Sequence, residues 1–151
     1  MIAAPILRDA RVDSTAYAAC VYGDSLLRRS PKAVVTWMPP VPFDSVWHSP
    51  TPRWACGVIA AGHTNSSALS VDSLIHAFAA RGWSSRTLIS ADGPDGTVQG
   101  MHRAGVTCVF EGRWDGGDDS DSTYVPSDTI EVRVACTRTA GADTAWQDPP
   151  R

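Results

Sequence analysis

Lysine is all but missing from this chain: Lys32 is the only one in 151 residues. Twelve arginines supply the other cations, and they are scattered, with a net charge of −3. The chain therefore lacks the basic stripe with which nucleic-acid binders neutralise phosphates. No apolar run reaches about 18 residues, so no membrane-spanning helix is expected. The opening MIAAPIL is apolar but gives way at once to RDARVD, which does not fit a secretory signal. YAAC at 17–20 has the form of a lipoprotein cleavage site without the apolar stretch that precedes one. No Cys-x-x-Cys occurs, which removes the main signature of zinc ribbons and thioredoxin-type redox sites. A phosphate-binding G-x-x-x-x-G-K-[ST], a strand–GxGxxG–helix unit and H-E-x-x-H are absent too. DGPDGT at 92–97 is a turn, not a phosphate cradle.

What is present is a globular composition, with 43% hydrophobic and 19% charged residues. Twelve glycines and eleven prolines favour turns and short strands. A weak helix is expected from about Ser14 to Arg29, interrupted by Gly23. KAVVTW at 32–37 reads as a strand. MPPVPFDSVWHSPTP at 38–52 holds five prolines; without backbone donors it is expected to be extended and irregular. RWACGVIAAG at 53–62 reads as a second strand, and HTNSS at 63–67 as a loop. The clearest helix is 71–81, where Val71, Leu74, Ile75, Phe78 and Ala79 follow the helical stripe. Ser70 can cap its start and Gly82 close its end. Short strands follow at about 84–90, 97–102, 106–114 and 130–138.

The last two strands fix their own register. If positions summing to 244 are paired antiparallel, Cys108 faces Cys136, Phe110 faces Val134, Gly112 faces Val132 and Trp114 faces Ile130. On the other face Val109 meets Ala135, Glu111 meets Arg133 and Arg113 meets Glu131. These are the only two glutamates, and each meets an arginine, which favours pairing. A slip of one residue would set an apolar face against a charged one. Directly opposed cysteines stand within disulfide range, so a Cys108–Cys136 bond is expected, worth on the order of 3.5 kcal/mol by chain entropy. Cys20–Cys56 then follows by elimination. Composition alone leaves four buried thiols as the alternative.

The connection between those strands, 115–129, is unusually long for a hairpin. It carries Asp115, Asp118, Asp119, Asp121 and Asp128 and no lysine or arginine. Clustered carboxylates with nearby glycines suit a hard cation, so Asp115, Asp118, Asp119 and Asp121 are candidate calcium ligands. The EF-hand pattern fails, however: Thr123 and Tyr124 stand where an acid or amide and then a glycine belong, and no glutamate closes the loop. A solvated loop whose aspartates cap turns is the simpler expectation; a surface for a basic partner is the third.

VYGDSLL at 21–27 resembles the GDSL-type esterases, whose serine nucleophile follows a strand. That resemblance covers four residues and would make Ser25 the nucleophile of a small serine hydrolase. The family's late Asp-x-x-His is missing, and GHTN at 62–65 lacks the final Asp of its Gly-x-Asn-Asp block. His48, His63, His76 and His102 show no metal spacing. His63 would suit Ser66 or Ser67 as a base, but no orienting acid is evident in the sequence. NSS at 65–67 formally matches a glycosylation acceptor. Of six tryptophans, Trp146 lies in a polar tail unable to form its own core.

The expectation is a single α+β domain, with one main helix packed on an antiparallel sheet of about four C-terminal strands (68–138). An irregular, proline-rich N-terminal half (1–67) holds two short strands, and 139–151 is an extended tail. Paired cysteines and scarce lysine suit a secreted or periplasmic compartment. With no complete catalytic set, the expected role is a non-catalytic module: an extrinsic subunit docking on a larger protein assembly, membrane-bound or free, through Phe43, Trp47 and Trp146. A calcium-ordered binding domain and a hydrolase using Ser25 are the alternatives.

Overall fold

The computed structural model describes residues 10–42, 54–64, 66–117, 120–125 and 127–139. The class is α+β, but the sheet has six strands instead of about four, and the weak helix expected near Ser14 is a full second helix beside the main one. Among the described residues two helices, α1 (Ser14–Leu27) and α2 (Val71–Ala80), accompany six strands. The strands are β1 (Val34–Pro42), β2 (Trp54–His63), β3 (Ser84–Gly93), β4 (Gly96–Arg103), β5 (Val106–Trp114) and β6 (Thr129–Arg138). All pair antiparallel in one sheet of order β1-β2-β6-β5-β4-β3. The described N-terminal half is thus not irregular: β1 and β2 extend the sheet beyond β6. No described helix is long and apolar enough to cross a membrane.

The β5–β6 register is the one in which paired numbers sum to 244, from Val106↔Arg138 to Trp114↔Ile130. β2 pairs with the other side of β6, and Cys56↔Cys136, Val58↔Val134 and Ala60↔Val132 continue the same apolar rows. Three rows of buried side chains therefore cross the central strands: Cys108–Cys136–Cys56, Phe110–Val134–Val58 and Gly112–Val132–Ala60. The charged face differs from expectation in one detail. Glu111 and Arg113 hydrogen-bond along their own strand at 2.6 Å, as do Glu131 and Arg133 at 3.0 Å. Charges of opposite sign stand across the ladder, but these residues lie at i and i+2 on one face, and each arginine reaches back along its strand.

Both helices lie on the apolar face. α1 begins where the Asp13 carboxylate accepts from the Thr15 and Ala16 amides, satisfying two donors that a helix start leaves open. Its buried positions are Ala16, Ala19, Cys20, Gly23 and Leu27, a stripe made almost wholly of small residues. Gly23 does not interrupt the helix. A Cβ there would stand 3.1 Å from Val134 Cγ1, so its absence lets the helix sit close on β6. Gly112 has the same use on the sheet: its missing Cβ leaves room for Val71 Cγ2 at the start of α2.

α2 buries Val71, Leu74 and Phe78; Ala79, expected on the stripe, is exposed. Phe78 is the hub of the packing. Its ring centroid lies 5.0 Å from Tyr22 on α1, 4.8 Å from Phe110 on β5 and 5.1 Å from Trp83. β4 and β5 turn through Ala104 and Gly105, both at positive φ, as a two-residue primed turn requires.

Phe78→Ala should cost about 3–5 kcal/mol, because three neighbouring rings lose their common partner. Gly23→Val should cost about 1–3 kcal/mol by overpacking against Val134. Urea unfolding measures both; losses below about 0.5 kcal/mol, the range of ordinary surface changes, would contradict this packing.

Candidate functional site

The chemically richest region is the end of the sheet where β2 stops, β5 stops and β6 starts. His63 pairs with Thr129 across β2 and β6, so the residue before Thr129 falls beside the histidine. That residue is Asp128. Its Oδ1 lies 3.0 Å from His63 Nδ1, and its carbonyl accepts the Thr64 amide at 2.7 Å. The acid that could orient His63 is thus present, 65 residues away in sequence. Both side chains are more than half exposed, so their contact adds little stability. The backbone bond is the firmer anchor.

The acidic loop is built by its own carboxylates. Asp115 accepts from the Gly117 amide at 2.9 Å, the Ser127 amide at 2.9 Å and the Tyr124 hydroxyl. One side chain therefore clasps the start of the loop to its end. Asp121 accepts from the Thr123 amide and hydroxyl at 2.9 and 2.7 Å. Hydrogen bonds to the charged form stabilise it. The Tyr124 hydroxyl, then the Ser127 and Gly117 amides, hold Asp115 below its ordinary 3.8. Thr123, through its side chain and then its amide, does the same for Asp121.

The loop is also fastened to the β3–β4 turn. Trp114 donates its indole N–H to the Pro94 carbonyl at 2.8 Å and its amide to the Asp95 carbonyl at 3.0 Å. The Gly116 amide donates to Asp95 Oδ1 at 2.9 Å. A side chain at Gly116 would meet the Pro94 carbonyl oxygen at 2.3 Å, so only glycine allows this contact. Beside the loop, Ala61, Arg113, Trp114, Asp115, Ile130 and Glu131 help line an open groove of about 480 Å³. In the same loop Tyr124 and Val125 are exposed, Val125 by 85%.

The structure separates the other candidates. Ser25 lies in the last turn of α1, not after a strand, and its hydroxyl donates to the Tyr22 carbonyl at 2.6 Å. The strand-end geometry implied by the GDSL resemblance is therefore not met. Ser67 is fully buried and its Oγ accepts the His63 amide at 3.1 Å. His76 is an exposed helix residue bonded to the Asp72 carbonyl. Asp118, Asp119, Phe43, Trp47, His48 and Trp146 lie outside the described residues. Among the described residues, no group of three carboxylates or histidines converges; the one ligand-like cluster is sulfur, from Cys20, Cys56 and Cys136. These sulfurs are in bonds: Cys20–Cys56, with Cα atoms 6.4 Å apart, and Cys108–Cys136, 4.0 Å apart. No family model, curated protein or solved structure matches the chain.

Asp115 gives a pH prediction. In the unfolded chain its carboxyl protonates first as pH falls, so its contribution to the loop is complete above about 3.8 and is lost as pH drops through the lower folded value. A carboxyl-carbon NMR titration should place the Asp115 midpoint below 3.8, and Asp115→Ala should speed amide exchange at Gly117 and Ser127. A midpoint at or above 3.8 would contradict the clasp.

Proposed function

We propose that this chain is a non-catalytic, disulfide-bonded interaction module of an extracytoplasmic compartment, and that it docks on a larger protein assembly through the loop end of its sheet. The observation that carries the proposal is an exposed apolar residue, Val125, beside Tyr124 on a loop whose described residues are pinned at several points. Val125 and Tyr124 stand out from a segment tied to β2, to its own far end and to the β3–β4 turn. An apolar residue held in this way costs a partner little ordering entropy on binding. Asp115, Asp121 and Asp128 lie on the same loop, so the fitting partner has an apolar centre and a basic rim. Two buried disulfides in a domain of this size support an oxidising compartment.

A second reading rests on the His63–Asp128 pair, which resembles the base and orienting acid of a hydrolase. Ser25 does not serve it from within a helix, and Ser67 is spent on the His63 amide. A calcium-ordered loop is the third reading; it would need Asp118 and Asp119 to add to Asp115 and Asp121.

Val125→Glu should abolish capture of the partner obtained with the wild-type chain while leaving the thermal midpoint unchanged, because the side chain touches little of its own domain. Raising salt from 50 to 500 mM, roughly a threefold shorter screening length, should weaken wild-type capture. Capture equal for V125E and insensitive to salt would overturn the docking surface. Labelling of a serine by a fluorophosphonate would favour the hydrolase, and a calcium-dependent shift in thermal midpoint the third reading.

A further inference from the structure

The four cysteines form one connected group, not two separate staples. Cys136, on the strand third from the β1 edge, stands directly opposite Cys108 on one side and Cys56 on the other. The Cα atoms of Cys108 and Cys136 are 4.0 Å apart, the mark of a closely spaced pair that exchanges no backbone hydrogen bonds. In an antiparallel sheet the N–H and C=O of Cys136 must then turn toward β2. That makes Cys56 and Cys136 the hydrogen-bonded pair, with Cα atoms about 5.5 Å apart, inside the usual disulfide range of about 4.4–6.8 Å. Both side chains point to the helix-covered face. The sulfurs of Cys20, Cys56 and Cys136 all lie within 4.8 Å of one another, and all three residues are buried.

We propose that Cys136 is a branch point: Cys56–Cys136 is a third bond, formed by exchange whenever either observed bond is opened. A dithiol reductant that opens Cys108–Cys136 supplies two electrons and two protons and is itself oxidised to a disulfide. Cys136 then carries a thiol. As its thiolate it attacks Cys56 Sγ, the Cys56–Cys20 bond breaks, and the electron pair leaves on Cys20, which takes up the proton Cys136 released. No further electrons are needed. From the other side, opening Cys20–Cys56 lets the Cys56 thiolate attack Cys136 and expel Cys108.

The exchange has a structural consequence. Cys20 is the only disulfide tie between α1 and the sheet. Moving the bond to Cys56–Cys136 converts a helix-to-sheet link into a strand-to-strand link, and α1 is then held by packing alone.

The test uses Cys108→Ser and Cys20→Ser, each folded, equilibrated in a glutathione redox buffer, alkylated and peptide-mapped. In C108S the alkylated thiol should move from Cys136 to Cys20, and in C20S from Cys56 to Cys108. At least about one molecule in ten should carry Cys56–Cys136, the population of a bond within ~1.4 kcal/mol of its rival. The wild-type chain under limiting dithiol gives the same readout without substitution, since its singly bonded molecules should include Cys56–Cys136. Finding that bond in any of the three supports the branch point. Its absence from all three, with only Cys20–Cys56 or Cys108–Cys136 surviving, overturns it.

Discussion

The fold depends on the register of β6 between its two neighbours. Because side chains alternate along a strand, one choice of register places Cys136, Val134 and Val132 on the covered face and Arg133 and Glu131 on the wet one. The same choice on the β2 side brings Cys56, Val58 and Ala60 into line. A slip would leave sulfur facing solvent and charge facing Phe78. The disulfides then lock what the pattern has selected, one within the sheet and one to the helix above it. By the chain-entropy estimate, loops of 28 and 36 residues are each worth about 3.5–4 kcal/mol, a large share of the ~5–15 kcal/mol by which domains are usually stable.

Packing follows from that frame. The sheet presents rows of medium-sized side chains, so a helix can approach only where one partner is small. α1 meets this need with alanines, a cysteine and Gly23, and α2 with the gap above Gly112. Phe78 fills the space between the helices. The opposite face keeps a smaller apolar cluster, Ala55, Ile89 and Val109, beside the charged residues of β5 and β6. The loop end of the sheet has no core of its own. Its described residues are held instead by carboxylates that accept from nearby amides. Asp115 and Asp121 thus serve as structural acceptors for the loop's own amides and hydroxyls.

The legible and illegible parts of the sequence divide along physical lines. β5 and β6 could be read because two independent patterns, sulfur with apolar residues and acid with base, agree on one pairing. α2 could be read because its stripe is made of large apolar residues. α1 was only partly legible: its buried stripe is small residues, which carry little periodic signal, and Gly23 suggests a break unless a neighbour as close as Val134 is known. That β2 joins β6, so that the two expected N-terminal strands extend a sheet of four to six, is a non-local choice that no window of sequence contains. The Asp128 partner of His63 was hidden for the same reason. Its only sequence signal was its place just before the strand that lies beside β2. The along-strand ion pairs escaped because register fixes which residues face each other, not which rotamer an arginine takes.

The most direct test is a two-dimensional NOE spectrum of the oxidised, intact protein. A closely spaced antiparallel pair brings its two α-protons into contact. The account predicts an α-proton cross-peak between Cys108 and Cys136 and further ones at Phe110/Val134 and Gly112/Val132, which share that spacing. Cross-peaks of the same strength displaced by one position, such as Cys108 with Ala135 or Thr137, would contradict the register and everything built upon it.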